Sequence, residues 1–142
     1  MNDIDMTKLR VLVIDDRAFT REIIETVLFE LGISNVTQAV NGVDALSKFS
    51  TIDANFDVVI CDLEMPNMNG FEFVKQLREN THLPCTNVPV LIVTSHSDEN
   101  SVQRAVEAGI HGYLVKPVSK QELEKRISAA IRSPVVSSEN FK

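Results

Sequence analysis

A doubly wound α/β domain is the fold this sequence predicts: a three-layer sandwich around an all-parallel sheet in strand order 2-1-3-4-5. Three observations lead there. Short apolar runs rich in β-branched residues recur along the chain, each too short for a helix and without the alternation of a half-exposed strand. Between them lie stretches whose apolar residues repeat at helical spacing. Run after run then ends in a polar residue, as strands do where an open α/β sheet meets its ligand. Strands joined by helices run parallel, and right-handed crossovers leave few ways to arrange them. The order 2-1-3-4-5 is a choice among those arrangements, since periodicity alone does not dictate it.

The elements follow in order. Leu9-Arg10-Val11-Leu12-Val13-Ile14 is the first strand and ends in Asp15-Asp16. From Ala18 to Leu31 the period becomes helical, with Ile23, Ile24, Val27, Leu28 and Leu31 on one face and Arg21, Glu22, Glu25 and Glu30 mostly off it. Gly32 stands where a helix C′ residue belongs. Val36 to Val40 is a short strand, and Asn41-Gly42 opens a brief helix through Ala45, Leu46 and Phe49. Val58-Val59-Ile60-Cys61 is the central strand, ending in Asp62 and a turn, Leu63 to Gly70, punctuated by Pro66, Asn67 and Asn69. Asn69 with Glu72 three residues on is a capping-box pattern for a helix to about Glu79, with Phe71 and Phe73 as its core and flank. Val88 to Val93 is the next strand, ending in Thr94-Ser95. A helix from Glu99 to Ala108 follows, closed by Gly109; its alanines and valines bury little surface, so it should be the least firmly held. Gly112 to Val115 is the last strand, ending in Lys116-Pro117. Ser119 and Glu122 then cap a final helix carrying Leu123, Ile127, Ala130 and Ile131, which Ser133-Pro134 stops.

A chain of 142 residues, 44% hydrophobic and 24% charged, is the size of one globular domain. Residues 1–7 read as an N-terminal extension, 8–132 as the domain and 133–142 as a flexible C-terminal tail. The net charge of −6 without a Lys/Arg cluster argues against nucleic-acid binding. The acidic start Met1-Asn2-Asp3-Ile4-Asp5-Met6 has no apolar signal region, and no run is long enough to span a membrane. Cys61, in a strand, and Cys85, in a loop, lack metal or redox spacing and fit a reducing cytoplasm. His82, His96 and His111 also lack ligand spacing and read as surface or loop residues.

The chemistry gathers at the strand ends. Parallel strands bring Asp15-Asp16, Asp62, Thr94 and Lys116 to one edge of the sheet. One Asp at a strand end more often caps the next turn, and Asp15-Asp16 or Lys116-Pro117 alone is a weak signal; the joint placement is a strong one. Two carboxylates ~4 Å apart at an effective dielectric of ~20 repel by roughly 4 kcal/mol, so the pocket calls for a cation or protons. Carboxylates without His or Cys are hard oxygen ligands, which suit Mg²⁺. Lys116 adds an ammonium and Thr94 a hydroxyl. A divalent metal, an ammonium and a hydroxyl around one carboxylate suit phosphoryl transfer onto it, with Asp62 as the attacking group.

These stretches resemble the receiver domain of two-component response regulators, most closely the stand-alone chemotaxis type. The likeness is carried by Val13-Ile14-Asp15-Asp16, Asn41 to Leu46, Asp62 to Gly70, Pro89 to Thr94 and Ala108 to Pro117, and it runs from about Lys8 to Arg132. It implies the flavodoxin-like form of the fold. It implies that Asp62 accepts a phosphoryl group from a phosphohistidine on a sensor histidine kinase or a histidine phosphotransfer protein. It further implies that Asp16, Asp62 and the backbone carbonyl of Glu64 bind Mg²⁺ directly and Asp15 through water, and that Thr94 and Lys116 hold phosphoryl oxygens. Tyr113 is implied as an aromatic switch that turns inward with Thr94, and Lys116-Pro117 as a cis peptide. Glu64 and His96 occupy positions that vary across the family and flank the path of attacking water; Ser95 departs modestly from the small residue usual after the Thr.

The expected function is a cytoplasmic phosphorylation-controlled switch that turns over no outside metabolite. With no output domain after Arg132, it would signal by binding a downstream target through the fourth helix, fifth strand and fifth helix. Two alternatives share the chemistry: a phosphorelay shuttle or phosphate sink, and a Mg²⁺-dependent phosphatase of the haloacid-dehalogenase kind. Asp62-Leu63-Glu64 faintly resembles the paired acids of such phosphatases, but those carry the nucleophile early and need a cap for which no insertion here is long enough.

Overall fold

The computed structural model describes residues 4–51, 55–80, 87–95 and 99–132, and of 99–102 the backbone alone. Five strands and five helices alternate: β1 (Arg10–Ile14), α1 (Ala18–Glu30), β2 (Asn35–Ala39), α2 (Gly42–Phe49), β3 (Val58–Asp62), α3 (Gly70–Glu79), β4 (Val90–Thr94), α4 (Glu99–Ala108), β5 (Gly112–Val115) and α5 (Lys120–Arg132). The strands form one sheet in the order β2-β1-β3-β4-β5, parallel throughout, as the sequence predicts.

The period-two rule of strands divides the core into two layers. Leu12, Ile14, Val59, Cys61, Val90 and Ile92 face α2, α3 and α4, meeting Ala45, Phe49, Phe73, Leu77 and Ala105. Val11, Val13, Val58, Ile60, Leu91 and Val93 face α1 and α5, meeting Ile24, Leu28, Leu123 and Ile127. Each central strand is therefore buried on both faces, which is why it reads as an unbroken apolar run. Cys61 is one of these core hydrophobes, and burial pushes its thiol pKa well up. Ile4 and Met6, flanking and opening a short 3-10 turn at Met6–Lys8, also pack on the α1/α5 layer.

Local signals explain the ends. Gly32 has φ +94, the left-handed conformation that closes α1. Asn41 accepts from Asp44 N at 2.7 Å to cap α2. Asn69 and Glu72 form both halves of the capping box on α3, and Ser119 Oγ accepts from Glu122 N at 3.1 Å ahead of α5.

Several expectations need correction. On α1 only Ile24 and Leu28 are buried, with Val27 and Leu31 flanking them. Ile23 is 43% exposed, because a helix lying on a sheet presents a seam narrower than its full apolar arc. Strand β2 begins one residue earlier than predicted, since Asn35 pairs with Arg10; Val40 leaves the sheet and donates its N–H to Asp44 Oδ2. Strand β4 begins at Val90, after Pro89, whose carbonyl accepts from Val59 N. His111, expected at a surface or loop position, lies just before β5 outside any strand but is only 3% exposed. Its N–H donates to Val90 O and its Nδ1 accepts from Val90 N at 3.4 Å, lengthening the β4–β5 ladder by one residue. The expectations for His82, Cys85, His96, Ser133-Pro134 and the 133–142 tail lie outside the described residues.

Candidate functional site

Register carries the strand-end residues to one place. Ile14 pairs with Cys61, Asp62 with Val93, and Thr94 with Val115, so the residues at or just past the ends of β1, β3, β4 and β5 share one edge. One carboxylate oxygen from each of Asp15, Asp16 and Asp62 lies within 4.8 Å of the other two. Lys116 Nζ is 3.2 Å from Asp62 Oδ1 and 3.9 Å from Asp15 Oδ2. Asp15, Asp62 and Thr94 are buried and Asp16 is exposed, which leaves the cluster one side open to solvent. The Lys116 backbone is tied to Thr94 O at 2.8 Å, and the Lys116-Pro117 peptide is cis.

The turn after Asp62 is held closely against the sheet. Asn67 adopts φ 70, a left-handed conformation that Asn tolerates better than most residues. Gly70 N donates to Leu63 O at 2.9 Å. A Cβ on Gly70 would meet Ile92 Cδ1 at 2.8 Å and Asp62 O at 3.0 Å, so only glycine lets α3 start this near the end of β3. Glu64 is exposed at the mouth of the site, and its backbone N–H donates to the Asp62 carboxylate. Ser95 is exposed beside Thr94.

Burial holds the carboxyls of Asp15 and Asp62 above their ordinary pKa. Around Asp15 the Arg17 N–H and Lys116 pull down, against the charges of Asp62 and Asp16. Around Asp62 Lys116 and the Glu64 N–H pull down, against Asp16. Asp15 Oδ1 accepts from Arg17 N at 2.8 Å, while the buried Oδ2 accepts no hydrogen bond among the described residues. An orphaned buried carboxylate oxygen, in an all-oxygen donor set of three acids, fits a hard divalent cation.

Tyr113 is 6% exposed and belongs to the core layer under α2, α3 and α4. Two residues escaped the sequence reading. Arg21, assigned to the polar face of α1, donates from Nη1 to the Asp15 carbonyl at 2.6 Å. Gln38 accepts from Arg21 Nε at 2.9 Å. An Arg in the first turns of a helix that follows an acid-bearing strand end was the available signal.

A parallel five-stranded sheet with three acids, a lysine and a threonine at its carboxyl edge defines a class, and the sequence comparison agrees. Residues 11–128 match the response regulator receiver domain, and the chain belongs to that family. Among its relatives is chemotaxis protein CheY1 of Helicobacter pylori, 34% identical over 87% of this chain and 97% of that protein. Chemotaxis protein CheY of Pseudomonas aeruginosa is 34% identical over 84% of this chain and 93% of that protein. Among solved structures, chemotaxis protein CheY4 of Vibrio cholerae superposes with a TM-score of 0.74 at 35% identity, covering 84% of this chain and 96% of that one. No described helix is long and apolar enough to cross a membrane.

Proposed function

We propose that this receiver domain accepts a phosphoryl group on Asp62 from a phosphohistidine of a sensor histidine kinase or histidine phosphotransfer protein, and changes its protein binding in response. The observation that carries the reading is the Lys116 ammonium 3.2 Å from an Asp62 carboxylate that also belongs to a cluster of three acids. An Asp62 oxygen attacks phosphorus as the N–P bond of the donor breaks; the electron pair passes to the imidazole nitrogen, which takes a proton. An acyl phosphate results. Water attacking the same phosphorus later returns the carboxylate and releases inorganic phosphate, so both steps are self-catalysed and no outside metabolite is turned over.

Lys116 takes up the charge of one phosphoryl oxygen and the Thr94 hydroxyl donates to another. Asp16, Asp62 and the Glu64 carbonyl would hold Mg²⁺, with Asp15 acting through water. The metal supplies charge neutralisation where an anionic nucleophile meets an anionic phosphoryl group. Burial serves the same end from the protein side: it keeps water from competing for the ammonium and the hydroxyl.

Output goes through α4, β5 and α5 to a downstream protein target. Thr94 and Tyr113 are the coupling residues: Thr94 ends β4, and Tyr113 lies on the neighbouring strand β5. The chemotaxis proteins that this chain matches over nearly their whole length support a signalling role, and a cytoplasmic location goes with an intracellular phosphodonor. Incubation with phosphoramidate and Mg²⁺ tests the reading. One acid-labile phosphoryl group per chain is expected, lost with EDTA and with Asp62→Asn; label that survives Asp62→Asn would contradict it.

A further inference from the structure

Asp15 is fixed by nearly every bond it can make. Its N–H donates to Ala39 O at 3.2 Å, its Oδ1 accepts from Arg17 N at 2.8 Å, and its carbonyl accepts from Arg21 Nη1 at 2.6 Å. Only Oδ2 is left without a hydrogen bond among the described residues, and it faces the site, 3.9 Å from Lys116 Nζ. Of these anchors two are backbone groups of the loop and sheet. The third is a side chain on α1, and it is itself aligned: Arg21 Nε donates to Gln38 Oε1 at 2.9 Å, and Gln38 Nε2 donates to Glu25 Oε2 at 2.6 Å. The chain Glu25–Gln38–Arg21 therefore joins α1 and β2 to the loop that leaves β1.

We infer that Arg21 is a positioning residue for the cation site, holding the Asp15-Asp16 pair in register through the Asp15 carbonyl, with Gln38 as its aligner. The peptide plane makes the connection. The Asp15 carbonyl shares one rigid plane with the nitrogen and Cα of Asp16, so a guanidinium gripping that oxygen sets the direction in which both carboxylates leave the backbone. The Arg21 charge does not need to reach the cation. Its fixed fork of donors binds the carbonyl and Gln38 at once, a geometry a flexible ammonium cannot reproduce. Without it, a loop carrying two acids that face a third, Asp62 at the end of β3, has its carbonyl returned to water and its first carboxylate free to swing outward.

The inference rests on the proposed Mg²⁺ site, and its test separates the two. Mg²⁺ titration calorimetry on the full chain, beside the metal-free melting temperature, would compare wild type with Arg21→Met, Arg21→Lys and Gln38→Leu. Partners of metal ligands commonly contribute 10- to 100-fold in affinity; acting through a backbone carbonyl, Arg21→Met should weaken Mg²⁺ binding by about tenfold. Arg21→Lys should recover part of the loss, and Gln38→Leu should show a smaller loss in the same direction. A merely structural Arg21 would lower the metal-free melting temperature and leave the Mg²⁺ affinity of the folded protein alone. Unchanged affinity in Arg21→Met overturns the inference. If that variant does not fold, unchanged affinity in both Arg21→Lys and Gln38→Leu overturns it instead. Wild type that binds no Mg²⁺ removes the proposed cation site, and this inference with it.

Discussion

Asp15 and Asp62 are carboxylates that the fold itself makes harder to ionise. Burial raises both pKa values in the folded state, while the unfolded chain returns them to the ordinary carboxylate range. Between those values the folded protein binds more protons than the unfolded one. The associated stability is present below the ordinary carboxylate pKa and is lost as pH rises through the raised ones. In EDTA, the unfolding free energy of wild type should therefore fall relative to Asp15→Asn as pH is raised from 4 toward 7, within the window set by the cited shifts. Denaturant melts across that range would measure it; a wild type that gains on Asp15→Asn with rising pH would mean that a cation partner, not desolvation, governs Asp15. At this scale the sequence was most legible where a residue ends a strand. Asp15, Asp16, Asp62 and Lys116 meet because register brings their strand ends together, and register follows from apolar runs that can be read directly. The partners of Arg21, Gln38 and His111 were not legible because they lie 6 to 21 positions away in sequence. Periodicity says which way a side chain points and not which carbonyl it finds.

The elements differ in how their boundaries were encoded. Capped ends were readable: Asn41 opens α2, Asn69 with Glu72 opens α3, and Gly32 closes α1. The limits of β2 and β4 were not, because the partner strand decides where pairing begins; Asn35 joins the sheet only because Arg10 lies opposite. Among the described side chains of α4, Ala105 is the fully buried apolar one, and the helix is linked to α3 by the Arg104 guanidinium 4.6 Å from the Phe71 ring centroid. A helix whose sequence offers mainly alanines and valines for burial is the element expected to shift most easily on a change at Thr94. Since a phosphoryl group can shift the equilibrium only by its differential affinity for the two arrangements, removing the Thr94 hydroxyl should remove most of the shift. Thr94→Ala is expected to accept phosphate on Asp62 and yet show little change in the amide spectrum of α4, β5 and α5 when beryllofluoride is added, where wild type shows a large one. Equal responses in the two proteins would contradict the coupling, and a footprint on α1 near Ile23 and Glu30 would point to a relay role.

For the whole molecule, a sheet buried on both faces leaves its ends, its loops and the outer faces of its helices for function, and the carboxyl edge carries the acids, the lysine and the threonine. That arrangement was legible because the polar residues that end four of the strands are a property of the chain, whereas the choice of strand order needed the structure. The central claim is that this edge makes Asp62 the phosphoacceptor and its two acidic neighbours supporting residues. Borohydride trapping tests it most directly, since an acyl phosphate on aspartate is reduced to homoserine while phosphate on Ser, Thr or His is not. After phosphoramidate and Mg²⁺ treatment, peptide mass spectrometry should find homoserine at position 62. Homoserine at 15 or 16, or phosphate retained elsewhere with position 62 unmodified, would contradict the account.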